Sequence, residues 1–94
     1  MSIAVIIRDQ IKAIDPRALW AWGAKDLVNM GDGLKFKSSG MAKWKGYVYV
    51  KYNEGKDLYD IDFFKIRGID VKYVKKLEGI YVEDLVSVID EVVG

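Results

Sequence analysis

The stretch from Lys43 to Leu77, KWKGYVYVKYNEGKDLYDIDFFKIRGIDVKYVKKL, leaves few folds open to this chain. Residue types alternate with period two, and Val, Ile, Tyr and Phe are frequent. A β-strand with one face against a core reads this way. Asn53-Glu54-Gly55 and Arg67-Gly68 punctuate the stretch as hairpin turns, so it reads as a three-strand meander. On its first strand Trp44, Gly46, Val48, Val50 and Tyr52 are expected to face the core, and Lys43, Lys45, Tyr47, Tyr49 and Lys51 the other side. A two-residue turn at Glu54-Gly55 pairs Asn53 with Lys56. It sets Val50 opposite Tyr59, Val48 opposite Ile61, Tyr49 opposite Asp60 and Tyr47 opposite Asp62. On the last strand Ile69, Val71 and Tyr73 are expected inside and Asp70, Lys72 and Lys76 outside, with Gly79 ending the strand.

The flanking segments carry helical spacing. Ile3, Ile6, Ile7, Ile11 and Ile14 form one apolar face, with Ser2 as the N-cap. Asp15-Pro16 restarts the chain into a second helix over about 16–22. Beyond Gly23 the spacing of Trp20, Gly23, Ala24, Leu27 and Met30 allows that helix to continue. The Gly31-Asp32-Gly33 turn favours a hairpin instead, with strands at Lys25–Asn29 and Leu34–Ser38. Ser38-Ser39-Gly40 reads as a loop. At the other end Val82, Leu85, Val86, Ile89 and Val93 mark a helix over about 82–92. The fold expected is a single α+β domain spanning 1–94: a mostly antiparallel sheet of about five strands, with N-terminal helices and one C-terminal helix packed on it.

Composition removes several kinds of chemistry. The chain has 94 residues, a net charge of +1, no cysteine and no histidine. A chain of this size hides only about 60–65% of its unfolded surface on folding. Without Cys and His there is no thiolate chemistry, and the usual zinc ligands and general base are missing. Threonine is absent as well, and no Gly-rich phosphate loop is present. No cofactor, metal or enzymatic activity is expected. The apolar cluster in MSIAVIIRDQ is too short for a signal peptide, and no run approaches the roughly 20 residues that cross a bilayer. A cytoplasmic protein without a membrane partner is expected.

Three groups of residues are candidates for function. Lys43, Lys45, Tyr47, Tyr49 and Lys51 alternate cations with aromatic rings on one strand face, as in surfaces that hold single-stranded nucleic acid or nucleotides. The plainer reading is a solvated sheet face, with Asp60 and Asp62 across from the tyrosines. That acid pair could hold Mg²⁺ or serve as acid and base, or simply pair with lysines. The third group is apolar. Leu58, Phe64, Ile66 and Val74 fall with Tyr47 and Tyr49 on the face that alternation assigns to solvent, an excess that calls for a covering element or partner. A bulge at Phe63-Phe64 is the alternative. The acid-rich segment 78–94, with five acids and no base, is the electrostatic counterpart of the lysine-rich segment 34–53.

The pieces GAKDLV (23–28), GLKFK (33–37), LYDIDFFKIRG (58–68) and EGIYVEDL (78–85) resemble, in this order and spacing, blocks of a family of short uncharacterised proteins. That family is carried by phages and mobile elements of gut bacteria. The resemblance implies a mobile-element origin. It brings no assigned activity and therefore no functional residue.

The expectation is thus a non-enzymatic protein-interaction module. It binds a protein partner or itself, most economically as a homodimer, through Tyr47, Tyr49, Leu58, Phe64, Ile66 and Val74. The alternative is a small nucleic-acid- or nucleotide-binding module using Lys43, Lys45, Tyr47, Tyr49 and Lys51.

Overall fold

A computed structural model describes residues 2–39 and 43–94. Gly40, the end of the expected Ser38-Ser39-Gly40 loop, lies outside them; Ser38 belongs to a strand. The elements follow as α1 (Ile3–Ile14), α2 (Ala18–Ala21), β1 (Lys25–Asn29), β2 (Gly33–Ser38), β3 (Gly46–Asn53), β4 (Leu58–Arg67), β5 (Asp70–Ile80), a 3-10 turn (Val82–Asp84) and α3 (Leu85–Val93). The strands form one five-stranded antiparallel sheet in the order β1-β2-β3-β4-β5. This is the α+β meander expected from the sequence, and β1 occupies the span that the Asp-Gly turn implied.

Local chemistry accounts for the helix starts. The backbone N–H of Val5 donates to Ser2 Oγ at 3.2 Å, the N-cap bond. Asp15 Oδ1 accepts from the Arg17 N–H at 3.0 Å, turning the chain into α2. α2 stops at Ala21, one residue short of the expected Trp22. Trp22 is fully buried, stacked on Phe36 at 6.1 Å. Its Nε1–H donates to Asp90 Oδ1 at 3.1 Å, which ties α3 to the second helical segment.

One face of the sheet carries the core. Ile7 and Ile11 of α1 and Leu85, Ile89 and Val93 of α3 pack on Phe36, Val48, Val50, Ile61 and Phe63. These side chains bury their apolar surface fully, at roughly 25 cal/mol per Å². The buried side of α1 runs through Ala4, Ile7 and Ile11, whereas Ile6 and Ile14 at the edges of the expected stripe stay exposed.

Three expectations about the meander are corrected. The β3–β4 turn is not the two-residue Glu54-Gly55. Asn53 pairs with Leu58, and the register becomes Lys51 with Asp60, Val50 with Ile61, Tyr49 with Asp62 and Tyr47 with Phe64. The tight turn implied by Glu54-Gly55 needs positive φ at both central residues, which suits Gly55 but not Glu54. Asp57 takes φ 55° instead, and Asn53 Oδ1 accepts from the Lys56 N–H at 3.3 Å. The shift is by two residues, so the faces stay as expected.

Second, Gly79 does not end β5. The strand runs to Ile80 and absorbs Gly79, at φ +68°, in an irregularity between the Tyr59–Ile80 and Ile61–Leu77 pairs. Asp60 Oδ1 accepts the Gly79 N–H at 3.0 Å and satisfies the donor that the irregularity frees.

Third, Ile69, Val71 and Tyr73 are not buried; Ile69 is 99% exposed and Tyr73 54%. Phe63 pairs with Lys75 but Phe64 with Tyr73, so Val74 is an extra residue on β5. Such a bulge inverts the alternation beyond it. Val71 and Tyr73 are carried to the outer face, and Lys72 to the inner one. Both phenylalanines keep opposite directions: the register does shift at Phe63-Phe64, where a bulge was the alternative reading, but the extra residue lies on the partner strand.

Candidate functional site: the outer sheet face and the β4–β5 arm

The outer face of the sheet, opposite the helices, covers much of itself. Tyr47 and Phe64 are cross-strand partners with rings stacked at 5.4 Å, and Tyr73 lies 5.7 Å beyond Phe64. Phe64 is therefore only 8% exposed, against the expectation that it lies bare on this face. Lysine stems lie over the rings. Lys35 Nζ and Lys37 Nζ sit 5.7 Å and 5.9 Å from the Tyr47 centroid, and Lys76 Nζ is 4.2 Å from that of Tyr73. Tyr47, Tyr49 and Leu58 end half-buried.

Some of the charges on this face are paired. Lys51 Nζ lies 2.9 Å from Asp62 Oδ2 and 5.5 Å from the Tyr49 centroid. The Lys51 ammonium is held above its ordinary pKa, first by its hydrogen bond to Asp62. The Tyr49 hydroxyl donates to Asp32, and its pKa is pushed up to about 12, by desolvation first and by that hydrogen bond second. Asp60 is held by Gly79 N–H and, at 3.4 Å, by Asn53 Nδ2. The acid pair is thus engaged with a lysine and a backbone amide. Among the described residues no group of three His, Cys, Asp or Glu side chains could hold a metal.

The Lys/Tyr stripe read from the sequence is divided by this geometry. Tyr47, Tyr49 and Lys51 share the outer face with three carboxylates, Asp32, Asp60 and Asp62, which oppose a phosphate chain. Lys43 and Lys45 are exposed and precede β3.

Apolar exposure is concentrated further out. Every residue from Ile66 to Val74, and on to Lys76, is exposed, so the ends of β4 and β5 form a two-stranded arm extending beyond the core. Arg67 pairs with Asp70 across a Gly68-Ile69 turn, with Gly68 at φ +61°. Ile66 and Val71 are cross-strand partners on the same face as the Phe64–Tyr73 pair. Of the six apolar or aromatic residues expected to meet a partner, Ile66 and Val74 are on this arm. Tyr47 and Phe64 form its root, and Tyr49 and Leu58 lie away from it. The sequence reading missed Val71 and Tyr73, because a strand drawn without a bulge turns them inward, and Ile69, which lies in the turn rather than in the strand.

The arm's opposite face is basic. Lys65 and Lys72 are direct cross-strand partners, and Lys75 faces Phe63. Trp44 bridges this face to the core: its ring lies edge-on to Phe63 at 5.9 Å, with Lys65 Nζ 5.7 Å from its centroid. A Cβ at Gly46 would come within 2.5 Å of the Trp44 ring, so glycine there lets the ring lie against the strand. The run KIRGIDVKYVKK (65–76) was the available signal. A net charge of +1 for the whole chain conceals it.

No helix among the described residues is long and apolar enough to cross a membrane. No family model matches the chain, and neither a curated protein nor a solved structure matches it.

Proposed function

We propose that this protein is a non-enzymatic interaction module that pairs with a second copy of itself through the outer face of the β4–β5 arm. The observation that carries the reading is the exposed apolar set Ile66, Ile69, Val71, Tyr73 and Val74, all 43% exposed or more, on a hairpin that no helix covers. Contiguous apolar exposure of this kind marks an interaction surface on a soluble domain. Face-to-face packing of two such arms buries these residues between two sheets, the arrangement found in β-sandwiches. A two-fold axis closes the contact and leaves no sticky face for further addition.

Pairing through the β5 edge is disfavoured by its own side chains. Lys72, Lys75 and Lys76 line that strand, and lysines on an edge act against edge-to-edge association. The face therefore serves better than the edge. We further propose a cytoplasmic location, in keeping with a cysteine-free chain, and an origin on a phage or mobile element, supported by the four sequence blocks alone.

Sedimentation velocity across a concentration series tests the dimer. The wild-type chain is expected to sediment as a dimer at high concentration. Val71→Asp is expected to sediment as a monomer with unchanged circular dichroism, since Val71 is half-exposed and outside the core. A wild-type chain that stays monomeric throughout, or a Val71→Asp variant that still dimerises, overturns the reading.

A further inference from the structure

The basic side of the arm is a separate feature. Two adjoining shallow clefts open beside it, and each also takes in outer-face residues: Tyr73 in the first, Tyr47 and Ile66 in the second. One is lined by Trp44, Lys65, Arg67, Lys72 and Val74, among others, and the next by Lys37, Lys45, Lys65 and Arg67 beside Gly46 and Ile66. Asp70 is the one acid lining either of them. Among the described residues, none of these cations is in an ion pair; the pairs formed are Arg8–Asp9 and Lys51–Asp62.

The arrangement is costly as it stands. Like charges directly opposite one another on antiparallel strands destabilise the pair. Lys65 and Lys72 occupy such positions, with Arg67 two residues from Lys65 on the same face. Packing does not require cations there, because the arm extends past the helices. An anion chain threading the clefts would relieve this repulsion. The aromatic group at the same place narrows the choice of anion. Trp44 is half-buried and fixed by Phe63 and Gly46, and its main-chain N–H donates to the Val93 carbonyl at 3.1 Å. A fixed ring amid cations is the combination that takes a base by stacking and its phosphates by charge.

We propose that these clefts bind single-stranded nucleic acid, with a base stacked on Trp44 and the phosphates on Lys45, Lys65, Arg67 and Lys72. On binding, the Lys65 ammonium leaves the ring and moves to a phosphate. Lys65 and Lys72 lie on the face of the arm opposite the Ile66–Val71 pair, while Ile66, Tyr73 and Val74 of the proposed dimer contact also line the clefts. The site differs from the Lys/Tyr strand face, where three carboxylates stand among the lysines.

The test is a fluorescence anisotropy titration of a labelled oligo-dT strand against the full chain, repeated over a salt series. The expected result is binding whose logarithm falls linearly with the logarithm of salt concentration. Four phosphate contacts at about 0.7 each give a slope near −3. Arg67→Ala and Lys72→Ala, both exposed and outside the core, are each expected to weaken binding roughly tenfold at low salt. Lys12→Ala, on α1, is expected to leave it unchanged. In a Trp20→Phe background, which leaves fully buried Trp22 and half-buried Trp44, the strand is expected to quench the Trp44 share of the emission, and heparin of equal charge is expected to leave it unchanged.

No binding at low salt overturns the proposal. So does equal affinity for duplex DNA, or binding of strand and heparin alike without quenching, which would reduce the site to a general polyanion surface. Binding unaffected by Arg67→Ala and Lys72→Ala also overturns it.

Discussion

The ring of Tyr47 lies flat against that of Phe64, 5.4 Å away across the β3–β4 ladder, and this pair separates the covered part of the outer sheet from the bare part. On the β2–β3 side, lysine stems and paired charges shield the aromatic surface. On the β5 side the stack ends at Tyr73, and the arm continues with Ile66, Val71 and Ile69 uncovered. Phe64 is thus a structural residue of the face, and the residues beyond it are its contact surface.

Phe64→Ala should therefore act on folding. Removing a ring that is only 8% exposed leaves a gap between Tyr47 and Tyr73 and is expected to cost about 3 kcal/mol. Urea denaturation of the monomeric Val71→Asp background measures it without interference from association. A loss under about 1 kcal/mol would mean that the neighbouring rings close over the gap. For the same reason Phe64→Asp is a poor probe of dimerisation, since it places a charge in a buried stack.

Alkaline pH should loosen the outer face. The Tyr49 hydroxyl titrates at about 12 in the folded chain against 10.0 as a free group, raised first by desolvation and then by its hydrogen bond to Asp32. The folded state holds that proton more tightly than the unfolded chain does. This contribution is fully present below pH 10.0 and is lost as the pH rises through about 12. Lys51, raised above 10.5 chiefly by Asp62, acts in the same direction. The melting temperature is expected to fall over this window, and less steeply in Tyr49→Phe. Equal slopes in the two proteins would remove Tyr49 from the account.

The irregularity at Gly79 should depend on Asp60. Asp60→Ala leaves the Gly79 N–H without its carboxylate acceptor and is expected to cost about 1.5 kcal/mol. Gly79→Ala meets no close atom, the nearest being Leu58 Cδ1 at 3.8 Å, so its cost of about 1 kcal/mol comes from φ +68° alone. Both changes act on one feature, so the double variant should lose less than the sum. Full additivity in chemical denaturation would mean that the two are not coupled.

Ser38 should matter more than an ordinary strand serine. It is fully buried, and its Oγ lies 2.9 Å from the Trp22 carbonyl and 3.0 Å from that of Trp44. The single hydroxyl proton is shared between the two carbonyls, and the Trp22 carbonyl also accepts from the Ser39 N–H at 3.3 Å, so Ser38→Ala removes one buried donor and is expected to cost about 1 kcal/mol. It should also broaden the Trp44 indole signal in a proton–nitrogen NMR spectrum. An unchanged signal would mean that Trp44 is held by Phe63 and Gly46 without Ser38.

Much of the architecture was legible because the chain states it locally. Ser2 and the isoleucine spacing specify α1, Gly31-Asp32-Gly33 specifies the first hairpin, and the valines of β3 specify which face is inside. The β3–β4 register was not legible, because the turn depends on Asp57 adopting a left-handed backbone, which competes with an equally plausible Glu54-Gly55 turn. The arm was hardest to read. Ile69, Val71 and Tyr73 stay in phase with Leu77, broken only by Lys75, and the bulge at Val74 inverts them. Past the helices no burial enforces either face, so hydrophobicity carries no information about direction there. The basic cleft escaped notice for a related reason: its cations come from β2, β4, β5 and the segment before β3, which only the fold brings to one end.

Hydroxyl-radical labelling of side chains, read by mass spectrometry on dilute and concentrated protein, tests the central claim most directly. Ile66, Val71 and Tyr73 are expected to react freely when dilute and to lose reactivity on concentration, while exposed Trp20 reacts equally in both. Equal labelling of the arm residues at both concentrations would contradict the assignment of this face as the contact between copies.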